Sequence, residues 1–323
     1  VDKIVYTGTG AAEYAQADFA AATGLSAGMI MQGDIQKGAD TLANSGQFGD
    51  VGFAMDGDTL VYKIAAAAHT LPVHFENFAW WSDIDLLRDV HAKCPLFLGT
   101  LAGKGGLEQQ VMDTLTAMAT EKAGKEAKVE LTLVTKPSQP PSAVGFVITN
   151  PAIKIARVEL AHGTLEMSSR VAEVTQQLIG ERYNRDSTRE FLTNRLGEAY
   201  AAQGYIDFRI KQFQAVDPKP TPEGFGVTVE GNLEPGSQYH VSALNWTDTP
   251  QMDKAAFDAA DVLKVGDIAA LGPLEATLHN IERTYQLKGY VNAKATANPT
   301  LNHDNQTVAY TITVEPGTKF DTD

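Results

Sequence analysis

One piece of punctuation recurs along this chain at a nearly constant interval, and it limits how the chain can be divided. A helical run ends in glycine, an aromatic residue follows, and a strand-like stretch comes next. The three instances are Gly46-Gln47-Phe48, Gly204-Tyr205 and Gly289-Tyr290. The first two glycines lie 158 residues apart and the last two 85. Half of the longer gap falls one residue from Gly124, which closes another helical run. A second marker keeps the same register: Glu234-Pro235-Gly236 returns 81 positions later as Glu315-Pro316-Gly317. Pro followed by Gly marks a turn between elements. A fixed period of this kind is the signature of a tandem array. Four units divide the 323 residues, at 1–67, 68–150, 151–236 and 237–323.

Inside each unit the pattern reads strand, helix, helix, strand, strand. The third unit shows it best. Ile153, Ile155, Val158 and Leu160 alternate imperfectly with polar residues, as a half-buried strand does. Ser187-Thr188-Arg189-Glu190 has the spacing of a capping box and predicts a helix start. Leu192, Leu196, Ala199 and Tyr200 then share one helical face, and Gly204 suits the left-handed residue that ends such a helix. The fourth unit repeats this with Leu274, Leu278, Ile281 and Tyr285, and the first with Ile35, Ala39, Leu42 and Ala43. Asp56-Gly57 in the first unit predicts a two-residue hairpin. The second unit departs from the pattern: residues 99–106 are glycine-rich, and Lys125 follows Gly124 where the others have an aromatic.

Several chemistries are excluded at this stage. Lys plus Arg number 26 against 40 Asp plus Glu, a net charge of −14, which is the wrong sign for binding nucleic acid or anionic lipid. The single cysteine, Cys94, leaves no internal disulfide and no Cys-x-x-Cys metal site. The stretches around Gly8-Thr9-Gly10 and Gly103-Lys104-Gly105 fail as nucleotide-binding motifs. Glu13 stands at the third glycine of the first, and Gly105 at the magnesium-binding Ser/Thr of the second. Residues 99–106, with the basic Lys104, are expected to form an inserted loop available to a partner. Seven scattered histidines have no metal-ligand spacing, so neither metal nor cofactor is expected, and no catalytic group stands out. Phe75, Phe78, Trp80 and Trp81 are expected to pack in a core or between the first two units.

The shared register of these motifs resembles tandem POTRA (polypeptide-transport-associated) domains, over essentially all of residues 1–323. The matching residues are Gly204-Tyr205, Gly289-Tyr290 and, with one residue inserted, Gly46-Gln47-Phe48; the second unit departs. The resemblance implies an α+β fold of four βααββ modules, each a three-stranded mixed sheet with two helices on one face. It implies a non-enzymatic array, periplasmic or outer-membrane-associated in a Gram-negative-type bacterium, that binds extended or unfolded polypeptides and outer-membrane assembly or secretion proteins. The membrane barrel that usually follows such modules is not among these residues, which lack its repeated ten-residue alternating strands.

The resemblance also places the strand after the Gly-aromatic motif at a sheet edge, where unpaired N–H and C=O groups can take up a further strand. The candidate edges are residues 49–55, 128–134, 205–214 and 290–298. Their candidate contact residues are Val51 and Phe53, Val129 and Leu131, Ile206 and Phe208, and Val291 and Ala293. Gly46, Phe48, Gly204, Tyr205, Gly289 and Tyr290 are expected to be structural, the glycine for its backbone and the aromatic for the core. The alternative is a scaffold or spacer with no unfolded client.

Overall fold

The computed structural model describes residues 1–103, 105–135 and 138–320, and over them the expected order holds four times. The first module runs β1 (Lys3–Thr7), α1 (Gln16–Thr23), α2 (Gln32–Asn44), β2 (Phe48–Asp56) and β3 (Thr59–Ala66). The second runs β4 (Leu71–Phe75), α3 (Asp83–His91), β5 (Thr100–Leu101), α4 (Gly106–Ala123), β6 (Lys128–Val134) and β7 (Ala143–Asn150). The third runs β8 (Ala152–Ala161), α5 (Ser168–Gln176), α6 (Arg185–Ala201), β9 (Arg209–Thr221) and β10 (Gly224–Glu234). The fourth runs β11 (His240–Asn245), α7 (Lys254–Ala260), α8 (Leu271–Gln286), β12 (Lys294–Asn302) and β13 (Thr307–Glu315).

The strand orders are β1-β3-β2, β5-β4-β7-β6, β8-β10-β9 and β11-β13-β12, so the last strand of each module lies inside its sheet. β3 pairs parallel with β1 and antiparallel with β2. β7 and β13 repeat this with their own neighbours. A parallel pair needs a long connection, and here that connection carries both helices. The three-stranded expectation fails for the second module, whose sheet has four strands. Its glycine-rich stretch is not a plain loop: it supplies β5, which pairs antiparallel with β4 through Leu71–Leu101 and Pro72–Thr100. Lys104, expected to face a partner from this stretch, lies outside the described residues.

The helical stripes are buried as their spacing requires: Leu42 on α2, Leu192, Leu196 and Tyr200 on α6, and Ile281 and Tyr285 on α8. Burying one such side chain stabilises by about 1.5–3 kcal/mol. α6 starts at Arg185, two residues before the expected cap, so Ser187 stands in its first turn. The Arg185 N–H donates to the Glu76 carbonyl at 2.8 Å, a partner 109 positions away that no local pattern announces.

The described residues pack as two compact units. One holds the first two modules with residues 180–186 and 214–229, and the other holds the rest. In the first, Tyr6, Phe19, Leu42 and Tyr62 join Leu86, Val111 and Phe146 in one continuous core. In the second, Phe257, Ile281, Tyr285 and Ile312 form one cluster, and Tyr239, Val241, Leu263 and Val308 form another. No helix among the described residues is long and apolar enough to cross a membrane.

Candidate functional site

A three-stranded sheet has two edges, and here one of them is closed in every module. On β1, Gln16 exchanges two hydrogen bonds with the Tyr6 backbone, both at 2.8 Å, and the Gly28 N–H donates to Val1 O at 2.8 Å. β4 is bordered by β5, and the Val73 N–H donates to Gly99 O. On β8, Ile155 donates to Glu181 O, Gly180 to Ile155 O and Tyr183 to Ile153 O, at 2.8–2.9 Å. On β11, Val241 donates to Asp267 O, Gly266 to Val241 O and Ala269 to Tyr239 O, at 2.7–2.9 Å. In the last three modules the stretch just before the second helix thus satisfies outer groups of the first strand, whereas in the first module Gln16, at the start of α1, does so. The opposite edges, β2, β6, β9 and β12, have no strand outside them among the described residues, and unpaired backbone groups on such an edge form a template for an added strand.

Val51 and Phe53 stand on β2, and Val129 and Leu131 on β6, as expected. Ile206, Phe208, Val291 and Ala293 do not stand on edge strands, because β9 begins only at Arg209 and β12 at Lys294. The chain first turns back on its helix. Tyr205 N–H donates to Tyr200 O at 3.0 Å, Tyr290 N–H to Tyr285 O at 3.1 Å, and Ala293 N–H to Tyr290 O at 3.1 Å. The Phe208 ring stacks on Tyr200 with centroids 4.6 Å apart. The turn therefore consumes the four residues after Gly204 and after Gly289, and an alternation that reads as strand is a turn packing onto a helix. In the first module no such turn intervenes. Phe48 already opens β2 and is buried near Tyr14 and Phe19.

The four open edges are not equivalent. β9 contains Pro218 and Pro220 and has left-handed backbone at Gln212 and Asp217, and β12 contains Pro299. Proline lacks an N–H and bulges disturb the ladder, so both features blunt an edge. On β6, Val129 is buried and Leu131 packs partly on the core, while Lys128 and Glu130 pair with each other. β2 has no proline. Val51, Phe53 and Met55 alternate along it; Val51 packs on the core, Phe53 is 38% exposed and Met55 52% exposed. The Phe53 ring lies 5.9 Å from that of buried Tyr62. β2 thus joins open backbone to an apolar row continuous with the core.

A second kind of site, missed in the sequence, is the joint between modules. At the first joint the loop before α4 lands on the Gly46 turn. A Cβ on Gly105 would stand 2.5 Å from Ser45 O and 2.6 Å from Gly46 Cα. Buried Gln47 donates from Nε2 to Thr100 O at 3.1 Å and accepts from Ala102 N–H at 2.9 Å. The residue inserted between Gly46 and Phe48, together with the glycine-rich stretch, was the available signal. In the second unit the same device recurs: a Cβ on Gly204 would stand 2.5 Å from Ile268 Cγ2, and the Tyr239 N–H donates to Gly204 O at 2.9 Å. The Tyr239 hydroxyl donates to Asp207 at 2.7 Å, and the carboxylate, with burial, pushes the phenol up to about 12.

Where the motif departs, so does the joint, since Gly124 has nothing within 4 Å of its Cβ position. Instead Trp80 packs edge-on against Phe225 at 4.9 Å, Arg185 pairs with Asp83, and Glu76 meets the start of α6. The Phe75–Trp81 cluster therefore packs in the core, one of its two expected places, and through Trp80 it also meets a residue of the third module, which was not expected. Phe75 and Phe78 are buried, and Trp80 reaches Phe225 because that ring lies at the start of β10.

No protein-family model and no curated protein matches the chain. Among solved structures it is similar to Haemophilus influenzae BamA POTRA3-5, at 13% identity and TM-score 0.37, over 76% of this chain and 96% of that one. It is similar to POTRA1-2 of the periplasmic domain of Omp85 from Anabaena, at 21% identity and TM-score 0.30, over 50% and 93%. It is similar to CdiB from Acinetobacter baumannii, at 13% identity and TM-score 0.26, over 73% of this chain and 39% of that one.

Proposed function

We propose that the chain is a non-enzymatic docking array of four modules, divided near residues 67, 150 and 236. On this reading it acts in the periplasm in outer-membrane protein assembly or secretion and takes up extended polypeptide by strand addition. The observation that carries the reading is the β2 edge, which has no outer strand and no proline and presents Phe53 and Met55 beside the core. Backbone bonds to such an edge are indifferent to client sequence, while alternate side chains select apolar residues at every second position. The blunted edges β9 and β12 then serve as closing strands, and β6 ranks second.

Amide-shift mapping with an extended apolar peptide from an outer-membrane barrel strand tests this. Perturbations concentrated on residues 48–56 are expected, and F53S/M55S is expected to weaken binding about tenfold, or about 1.4 kcal/mol. Shifts that avoid β2 and β6, or affinity unchanged in the double variant, would refute it and favour a spacer.

A further inference from the structure

We infer that His74, Glu76 and Asp186 form a binding site for a divalent transition-metal ion of the zinc class. One ligand atom from each, an imidazole nitrogen and two carboxylate oxygens, lies within 4.8 Å of the other two. His74 stands on β4, and Glu76 lies one residue past its end, held by its N–H donating to Phe146 O at 3.0 Å. Asp186, in the first turn of α6, brings its Oδ2 to 3.0 Å from His74 Nδ1 across 112 positions of sequence.

The surroundings are shaped around the Glu76 carboxylate. Glu76 is 3% exposed. His74 pairs with Gly145 in the β4–β7 register, and a Cβ on Gly145 would stand 2.6 Å from Thr132 Oγ1 and 3.2 Å from Glu76 Oε1. Glycine here supplies space for the carboxylate rather than an unusual φ. The Asp186 N–H donates to Glu76 Oε2 at a long 3.4 Å. The nearest guanidinium, Arg185, is engaged by Asp83.

Two carboxylates thus share one place against a helix N-terminus worth about half a positive charge. A dication supplies the missing charge. One imidazole and two carboxylates match zinc with water in a fourth position, whereas magnesium and calcium prefer all-oxygen shells. His74 and Asp186, each about half exposed, leave a path for the ion.

Calorimetric titration of the chelator-treated full chain with Zn²⁺ tests the site. One ion is expected to bind, with no Mg²⁺ competition. H74A and D186N, both at half-exposed positions, are each expected to raise Kd at least tenfold, with circular dichroism unchanged. H303A, beside the separate Asp207–Tyr239 cluster, is expected to leave Kd as it was. Absence of Zn²⁺ binding, full affinity in H74A, or loss of affinity in H303A instead would each overturn the assignment.

Discussion

Replacing Gly204 with alanine separates two roles of the glycine that ends the second helix. Its φ is +81°, where an L-residue costs about 1–2 kcal/mol. Its Cβ would also stand 2.5 Å from Ile268 Cγ2 and 3.3 Å from Tyr239 O. Relieving that overlap requires a shift of about 1 Å, and overpacking of this kind costs about 1–3 kcal/mol. Gly124 is the internal control, with φ +63° and nothing within 4 Å of the Cβ position. G124A is therefore expected to lose about 1–2 kcal/mol and G204A about 2–5 kcal/mol. The reporters are the amides of Tyr239, Val241 and Ala269, which bond to Gly204 O, Asp267 O and Tyr239 O. Their hydrogen exchange reads the opening free energy of the joint directly. In the double variant G204A/I268A the alanine methyl has room, so the extra loss should disappear. Equal protection losses in G124A and G204A at their own turns, or no recovery on truncating Ile268, would refute the docking role and leave only a backbone requirement.

Other expectations follow from the same contacts. Q47A removes both bonds that tie the Gly46 turn to Thr100 and Ala102. It should destabilise the first joint by about 2–4 kcal/mol, read as faster exchange of the Ala102 amide. Tyr183 is buried with no hydrogen-bond partner for its hydroxyl; the nearby Arg185 opposes its shift without forming a bond of good geometry. Y183F should therefore leave thermal stability at neutral pH equal or raised by about 1 kcal/mol. Burial pushes the Tyr183 phenol from 10.0 to about 12, so the folded chain keeps this proton after the unfolded chain has released it. The resulting stability is complete below pH 10 and is lost as pH rises through about 12, up to about 2–3 kcal/mol. Y183F should flatten alkaline melting over that window, and an unchanged profile would count against the assignment.

The repeat and the order of elements inside it were legible in the sequence because they are written locally. Leu192, Leu196 and Tyr200 on α6, or Val51 and Phe53 on β2, record at periods of 3.6 and 2 which face is buried. A glycine or Pro-Gly pair ends an element by its own backbone preference, so the count of modules needed no partner. The first misreadings came where a local pattern admits two outcomes. Ile206 and Phe208 alternate like a strand, yet Phe208 stacks on Tyr200 and the strand waits until Arg209. The rest depended on groups that meet only after folding. β5 closes an edge that residues 99–106 do not advertise, and Glu76 holds the start of α6 from 109 positions away. His74, Glu76 and Asp186 share a site without any motif spacing. Which edge stays open is likewise decided in space, since a free backbone group is defined by the absence of a partner and only the assembled sheet shows where partners are missing.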